Sequence, residues 1–224
     1  EVCIATLENF PEAGRVDAVA LDVELVVQVP EPRHVVAVTL VNLSLEADRR
    51  REIVKYGIVI AGPKIDEAIG PAGDIDRFRA LFRAIGQDIM WFSRLIIPEE
   101  KLSAIIGDPN VFCFALVKEG RDIGLLELDF REGGQCELSF FGVVPTAVGG
   151  GAGRYLMNEA LTRAWAAPIS RLWVHTCHFD HPSALAFYQR SGFRPYAVMV
   201  EVHEDPRLTG HMPKDASPSA PLVE

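Results

Sequence analysis

The sequence has no long apolar run, few cysteines and fewer basic than acidic residues. No apolar run approaches the roughly 18 residues that a membrane-spanning helix needs, so we expect no membrane partner. The four cysteines, at positions 3, 113, 136 and 177, form no CxxC pair, which excludes a zinc ribbon or a small disulfide scaffold. Scattered cysteines indicate a reducing, cytoplasmic setting. The net charge of −9 argues against nonspecific nucleic-acid binding.

Two common phosphate-binding motifs are also missing, although a glycine-rich loop is present. Four glycines fall within five positions (149–153) after a strand that ends at Pro145, and a helix follows. A dinucleotide fingerprint requires GxGxxG, whereas here Gly149 and Gly151 lead to Arg154, and no Lys-Ser/Thr pair of a P-loop occurs. The helix N-terminus would favour an anion, and Arg154 could bond a phosphate. The sequence therefore predicts a phosphate-bearing ligand, with a glycine turn that only packs helix on strand as the alternative.

The first part of the chain predicts strands outside the main domain. The alternating apolar runs at 16–29 and 34–41 are typical of strands, and a further strand is expected at 53–61. We assign residues 1–48 to an N-terminal extension, 49–203 to the main domain and 204–224 to a polar, Pro-rich tail. The sequence does not decide whether the early strands extend a later sheet or form their own. They could cover a sheet edge or form a homodimer contact.

From residue 74 onward, the hydrophobic pattern predicts a mixed α/β fold with a mostly antiparallel sheet and helices on both faces. Asp74 is expected to cap a helix whose buried face includes Phe78 and Phe82, and Pro98 to begin a second helix that ends before Gly107. The remaining elements expected from the pattern are strands at 111–117, 123–130 and 136–144, a helix at 151–166, a strand at 171–177, a helix at 182–190 and a strand at 193–202.

Two motifs together resemble the acetyl-CoA-binding core of the GCN5-related N-acetyltransferases (GNAT). The family's loop pattern, Gln/Arg-x-x-Gly-x-Gly/Ala, is matched at Gly151 and Gly153, with Val148 in the first position. The family's second pattern, N-x-x-A-x-x-x-Y-x-x-x-G-F, is matched by HPSALAFYQRSGF, with His181 in place of Asn and Tyr188 at the tyrosine. The resemblance covers about residues 53–203. It implies an acetyl-CoA-dependent N-acetyltransferase with a small-molecule or peptide amine as acceptor.

The resemblance also implies which residues contact acetyl-CoA. The backbone of one strand would bond the pantetheine arm, the glycine loop would bind the pyrophosphate, and His181 would stand where the family has Asn. The expected cofactor-binding residues are Phe141, Gly142, Val143, Val144, Val148, Gly149, Gly150, Gly151, Ala152, Gly153, Arg154 and His181. Val148 removes a polar side chain from the loop, but the contact is mostly made by backbone N–H groups, and Arg154 could compensate.

Acetyl transfer to an amine needs a base, because an amine with a pKa of about 10.4 attacks only when it is neutral. Glu137, on the strand before the loop, matches the base of the histone-acetylating branch of the family, and Glu127 is the reserve candidate. Tyr188 is the expected acid for the leaving thiolate. We place Trp91, Phe92, Glu127 and His175 in the acceptor site, with core packing as the alternative for Trp91 and Phe92 and ordinary strand packing for His175.

Two other functions fit parts of the sequence. Val148 and His181 depart from the family patterns, which would suit a CoA-binding module that has lost turnover. The cluster of His175, Cys177, Asp180 and nearby histidines could suggest a metal site. However, strand alternation points successive side chains to opposite faces, and Asp180 fits a helix cap, so few of these groups would converge. We therefore expect no metal.

Overall fold

A computed structural model describes residues 35–47, 64–66 and 75–223 of the chain. In these ranges seven strands form one sheet in the order β2-β3-β4-β5-β6-β1-β7. Neighbouring strands are antiparallel except β5 and β6, which are parallel. The strands are β1 Val35–Glu46, β2 Lys64–Asp66, β3 Val111–Lys118, β4 Arg121–Asp129, β5 Gln135–Val143, β6 Arg171–Cys177 and β7 Arg194–Glu204.

Helices cover both faces of the sheet, which confirms the predicted mixed α/β fold. They are α1 Ile75–Gly86, α2 Ser93–Ile96, α3 Glu99–Ile106, α4 Ala152–Ala164 and α5 Ala184–Arg190, with 3-10 turns at Gln87–Ile89 and Pro145–Ala147. None of the helices in the described ranges is long and apolar enough to cross a bilayer. The strands expected at 16–29 and 53–61 and the cap at Asp74 lie outside these ranges.

An apolar layer lies on each face of the sheet, because the strands bury alternate side chains on each face and the helices bury one apolar side against them. On one face, Leu156 and Met157 of α4 pack with Leu126 and Leu138 of the sheet. On the other face, the predicted stripe of α1 is buried together with Leu125 of β4. α1 and α3 therefore form one wall of the domain, and α4 and α5 form the other.

The early strand Val35–Glu46 lies inside the sheet. β1 pairs with β6 from Leu40 to Glu46 and with β7 from Val35 to Ser44, both antiparallel. This answers the question that the sequence left open for this run, since the strand extends the main sheet. The boundaries at 48/49 and 203/204 stay a prediction.

The parallel pair β5–β6 is short. Gln135–Glu137 pairs with Arg171–Trp173, and no further pairs join these two strands. Just beyond, Ser139 forms a bulge in β5, because Glu127 of β4 lies opposite Phe140 and Leu128 lies opposite Leu138. A bulge bends its strand and increases the local twist. β5 and β6 therefore diverge from residues 138 and 174 onward.

The C-terminal segment after β7 is held by a buried arginine. Arg207 is 1% exposed at its side chain, pairs with Asp205 at 2.7 Å, and donates hydrogen bonds to the carbonyls of Ala220 and Pro221 at 2.9 and 3.0 Å. The segment also buries Met212 against the core. Polar composition alone did not predict this packing.

Removing the Arg207 guanidinium should destabilise the protein strongly. Arg207→Ala leaves the buried Asp205 carboxylate without its partner, and we expect a loss of about 3 kcal/mol or more in the free energy of unfolding. A contrasting control is the surface pair of Glu159 and Arg163 on α4, whose side chains are 28% and 29% exposed. Glu159→Ala should cost under about 1 kcal/mol. Urea unfolding measures the loss in each variant, and equal losses would contradict a special stabilising role of the Arg207–Asp205 pair.

Candidate active site

The divergence of β5 and β6 opens a cleft in the sheet. Beyond Glu137 and Trp173, no described strand pairs with the edge of β5 that faces β6, or with the facing edge of β6. Aromatic rings from α5 lie beside this opening. Phe141 of β5 stacks on Phe187 at 5.7 Å and meets the edge of Tyr188 at 6.0 Å between ring centroids. The cleft thus has backbone donors and acceptors on its strand edges and an aromatic wall.

The glycine loop leads from β5 into α4 through the 3-10 turn at Pro145–Ala147. Gly149 and Gly151 have φ of 81° and 85°, in the left-handed region that glycine tolerates best. Gly151 occupies the N-cap of α4 and makes no side-chain capping bond, so the first-turn N–H groups need another partner. A Cβ at Gly149, Gly151 or Gly153 would meet no atom within 4 Å. The loop is therefore open and suited to an anion.

The side chains of Val148 and Arg154, both in the loop region, have different surroundings. Val148 is 51% exposed, so its side chain contributes little to the fold. Arg154 donates to the hydroxyl of Ser191 at 3.2 Å and lies over the Phe187 ring at 5.0 Å. It thereby ties α4 to the end of α5, and its expected role toward a phosphate stays a prediction. Val144 extends β5 by donating its N–H to the carbonyl of Ile123.

Glu137 and His175 meet on the α1 face of the sheet, where the cleft begins. Glu137 is paired with Trp173 in the parallel register, and His175 follows two residues later on the same face. Glu137 Oε1 lies 3.4 Å from His175 Nδ1, and the two side chains are 24% and 37% exposed. Both groups are therefore accessible to a molecule in the cleft.

The carboxylate of Glu137 changes the titration of its neighbour. Burial tends to lower the pKa of His175, but the hydrogen bond and charge of Glu137 outweigh it and raise that pKa above its ordinary value. The carboxylates of Asp180 and Glu201 act in the same direction. His175 therefore carries its proton to a higher pH than a free imidazole.

Glu127 lies on the same face but is fully buried. Arg94 of α2 donates to it at 2.6 Å, and the thiol of Cys113 lies 3.8 Å away. Burial raises the pKa of Glu127, and the ion pair with Arg94 opposes this rise without cancelling it. Burial also raises the pKa of the Cys113 thiol, helped by the Glu127 charge. The sequence placed Glu127 near the acceptor, whereas its carboxylate is occupied by a structural partner.

Tyr188 lies in the aromatic wall on α5 and is 6% exposed. Its ring packs against Phe141, Phe187 and Phe193 at 5.9–6.0 Å. Burial raises the pKa of Tyr188 above its ordinary value, and the charge of Asp180 adds to the rise. The hydroxyl therefore keeps its proton and can act as a donor.

The two aromatic residues predicted for the acceptor site differ in position. Trp91 is half-buried, and its ring packs against Phe82 and Phe140 at 5.3 and 5.2 Å. Phe92 is buried in another cluster and contacts His203 instead. A Cβ at Gly142 would lie 2.6 Å from Ile85 and 3.0 Å from Trp91, so this glycine is needed for the packing of β5 over Trp91.

Asp180 and His181 lie in the turn between β6 and α5 and make local hydrogen bonds there. Asp180 accepts hydrogen bonds from Thr176 Oγ1 at 2.7 Å and from the Cys177 N–H at 3.0 Å, and not from the N-terminus of α5. The helix cap predicted for Asp180 is therefore wrong. His181 Nδ1 accepts the Ser183 N–H at 3.1 Å, so His181 supports the turn before α5.

Asp180 is the main site residue that sequence reasoning missed. The available signal was its position three residues after the end of a strand, where an aspartate commonly accepts bonds from the preceding turn. No three His, Cys, Asp or Glu side chains within the described ranges are grouped as metal ligands.

An open cavity of about 380 Å³ lies on the same face as Glu137. Its lining residues are Asp129, Arg131, Glu132, Glu137 and Trp173. Another open cavity, of about 440 Å³, lies against the surface of α1 at positions 80–88 and includes none of these groups. Only the first of these two cavities therefore borders Glu137.

Comparison with known proteins identifies a family model and several solved structures similar to this chain. The model described as the acetyltransferase (GNAT) family matches residues 79–193, just over half of the chain. No curated protein matches the chain.

The solved structures show a shared fold at low identity. A conserved protein of unknown function from Staphylococcus epidermidis has a TM-score of 0.56 and 13% identity over 76% of this chain and 63% of that one. GCN5-related N-acetyltransferases from Sphaerobacter thermophilus and Kribbella flavida each have a TM-score of 0.51, with 15% and 16% identity over 75% and 79% of this chain. The chain covers 52% and 63% of those two proteins, so they are longer than the match.

The Glu137–His175 pair predicts a pH-dependent stability. A pKa raised on folding contributes stability that is complete below about pH 6.5, the unfolded value, and is lost as the pH rises through the folded value. The unfolding free energy of the unmodified protein minus that of His175→Gln should therefore fall between pH 6 and pH 9. Since the pair is partly exposed, the fall should be no more than about 1 kcal/mol.

Urea unfolding at both pH values measures this difference. Other histidines, including His178 with its pKa lowered by burial, are present in both proteins and cancel. In a Glu137→Gln background the fall should shrink or reverse, because burial, which lowers the pKa of His175, is then opposed only by the charges of Asp180 and Glu201. With Glu137 in place, a difference that grows with pH would contradict the pairing.

Proposed function

The chain belongs to the GNAT acetyltransferase family, and we propose that it moves an acetyl group from acetyl-CoA directly to a primary amine of a small molecule or peptide. Membership confirms the family that the two sequence motifs predicted. The observation that carries the proposal is the opening between β5 and β6, with Glu137 at its closed end and an uncapped glycine loop where β5 leads into α4.

The glycine loop is the proposed site for the pyrophosphate of CoA. Open space at the glycine Cβ positions lets a phosphate approach the backbone, and the first-turn N–H groups of α4 would donate to it. The free edge of β5 at Phe141, Gly142 and Val143 would bond the pantetheine arm as an added strand. Acetyl-CoA would supply an activated acetyl group as a thioester.

Glu137 is the proposed base. Its carboxylate is accessible, and the neighbouring His175 can donate to it or pass a proton onward. When the amine nitrogen bonds to the acetyl carbon, its proton would go to Glu137, directly or through water, and the C–S bond would break. Backbone N–H groups on the free edge of β5 would stabilise the negative charge that develops on the acetyl oxygen.

Tyr188 is proposed to assist the leaving sulfur. A CoA thiol has a pKa near 8.5, well below that of a buried tyrosine, so complete transfer of the proton to sulfur would be uphill. The neutral hydroxyl would instead donate a hydrogen bond that stabilises the thiolate as it forms. The thiolate would then gain its proton from water on release.

Glu137→Gln should remove the base while preserving the size of the side chain. We expect kcat to fall by about 10²- to 10⁴-fold, with the affinity for acetyl-CoA within about twofold. CoA release is measured with spermidine, kanamycin, lysine and a short peptide with a free amino terminus as acceptors, and affinity by calorimetry. Glu159→Gln on α4 is the matched control, since it removes only an ion pair with Arg163.

The same measurements separate the enzyme from a CoA-binding module. Binding of acetyl-CoA without transfer to any amine, and without an effect of Glu137→Gln, would favour the module. Absence of acetyl-CoA binding at high micromolar concentration would exclude both the acetyltransferase and the CoA-binding module.

Tyr188→Phe should lower kcat and leave cofactor binding intact. The phenylalanine ring keeps the contacts with Phe141 and Phe193, while the donor to the sulfur is lost. A hydrogen bond to a charged group contributes about 1.5–3 kcal/mol, so we expect a loss of about 10- to 100-fold in kcat. Tyr196→Phe, on the exposed edge of β7, should leave kcat unchanged. An unchanged kcat in Tyr188→Phe would remove Tyr188 from the mechanism.

A further inference from the structure

Asp180 joins the end of β6 to the opposite wall of the cleft. One carboxylate oxygen accepts from Thr176 and Cys177, as described above, and the other accepts from the indole N–H of Trp91 at 3.4 Å. Trp91 lies in the connection between α1 and α2, 89 residues earlier in the chain. A single side chain thus holds two segments that no strand pairing connects.

The Trp91 ring is a part of the acceptor-side wall. It packs on Phe140 and under Gly142, next to the strand edge where the thioester is proposed to lie. Asp180 also lies close enough to His175 and Tyr188 to raise the pKa of each. Asp180 therefore bonds the indole directly and adds negative charge near both the proposed acid and the imidazole beside the proposed base.

The C-terminal segment supports this contact from behind. Met90 and Phe92, on either side of Trp91, and Phe179, next to Asp180, share one apolar cluster with Met212. The Ser217 N–H also donates to the carbonyl of Gln87 at 3.2 Å, which fixes the start of the same connection. The segment clamped by Arg207 thus packs against both ends of the Trp91–Asp180 bond.

We propose that Asp180 is a positioning residue that fixes Trp91 as a wall of the acceptor site, and that acceptor binding depends on this bond. The proposal rests on the proposed function for its kinetic consequence. Its structural part, the bond itself, stands independently. Both oxygens of Asp180 accept hydrogen bonds from protein groups, which suits a positioning role.

The test combines a protein-only measurement with kinetics. The chain has three tryptophans, so the indole N–H of Trp91 is one of three resonances, assigned with Trp91→Phe. In Asp180→Ala, hydrogen exchange of this N–H should become at least about tenfold faster. The KM for the best primary amine of the panel should rise about tenfold, with acetyl-CoA affinity within about twofold.

A double-variant cycle separates positioning from a general structural role. Trp91→Phe keeps an aromatic ring but removes the donor, and Asp180→Ala in that background should raise the acceptor KM by less than about twofold further. Asp180→Asn, which retains one acceptor oxygen and the side-chain size, should give an intermediate KM and carries the test if the alanine variant does not fold. Asp122→Asn, whose carboxylate bonds Arg77 at the start of β4, is the control and should leave KM unchanged.

The two proposals fail in different ways. Additive effects of Asp180→Ala and Trp91→Phe, or an unchanged indole exchange rate in Asp180→Ala, would overturn the positioning role even in an active enzyme. Absence of acetyl transfer by the unmodified protein would overturn the proposed function, whereas the indole exchange rate would still report on the Trp91–Asp180 bond.

Discussion

The short parallel contact between β5 and β6 is the constraint on which the rest of the site depends. Three paired positions join the strands, and the bulge at Ser139 then turns β5 away. Were the pairing continuous, the backbone groups of Phe141 and Gly142 would be satisfied by β6 and unavailable to a ligand. The same divergence leaves a gap that the rings of Phe187 and Tyr188 border from α5. The cleft is therefore a consequence of incomplete sheet formation at one place.

β6 can leave β5 because it is held on its other edge. β1 pairs with β6 over seven residues and continues beside β7, so an N-terminal strand carries the half of the sheet beyond the cleft. The C-terminal segment then packs on the same half, where Met212 meets Val38 and Leu40 of β1. The first strand and the C-terminal segment thus support Asp180 after β6, and the C-terminal segment also supports the connection that carries Trp91 on the other side of the cleft.

Local sequence patterns predicted the helices and strands of this fold, but they could not predict contacts between residues that are far apart in the sequence. The 3.6-residue spacing of Phe78 and Phe82 identified α1, and β6 was predicted with its observed bounds. By contrast, the order of strands depends on which edges pair, and nothing local in residues 35–46 indicates insertion between β6 and β7. The clamp at Arg207 likewise uses carbonyl groups, which every residue has and which therefore leave no trace in composition. For Asp180, the turn contacts with Thr176 and Cys177 are local, whereas its contact with Trp91 is remote in sequence and left no local pattern.

Burial distinguishes the roles of Glu127 and Glu137, which the sequence alone could not distinguish. Glu127 and Glu137 lie on the same face of adjacent strands. Glu127 is fully buried and its carboxylate is bonded to Arg94, so an amine in the cleft cannot reach it. Glu137 is partly exposed and contacts a titratable histidine, so its proton can be exchanged without breaking the core. Glu127 therefore suits a structural role, together with Arg94, which also lies over the Phe140 ring at 4.9 Å. Glu137 suits the role of the proposed base.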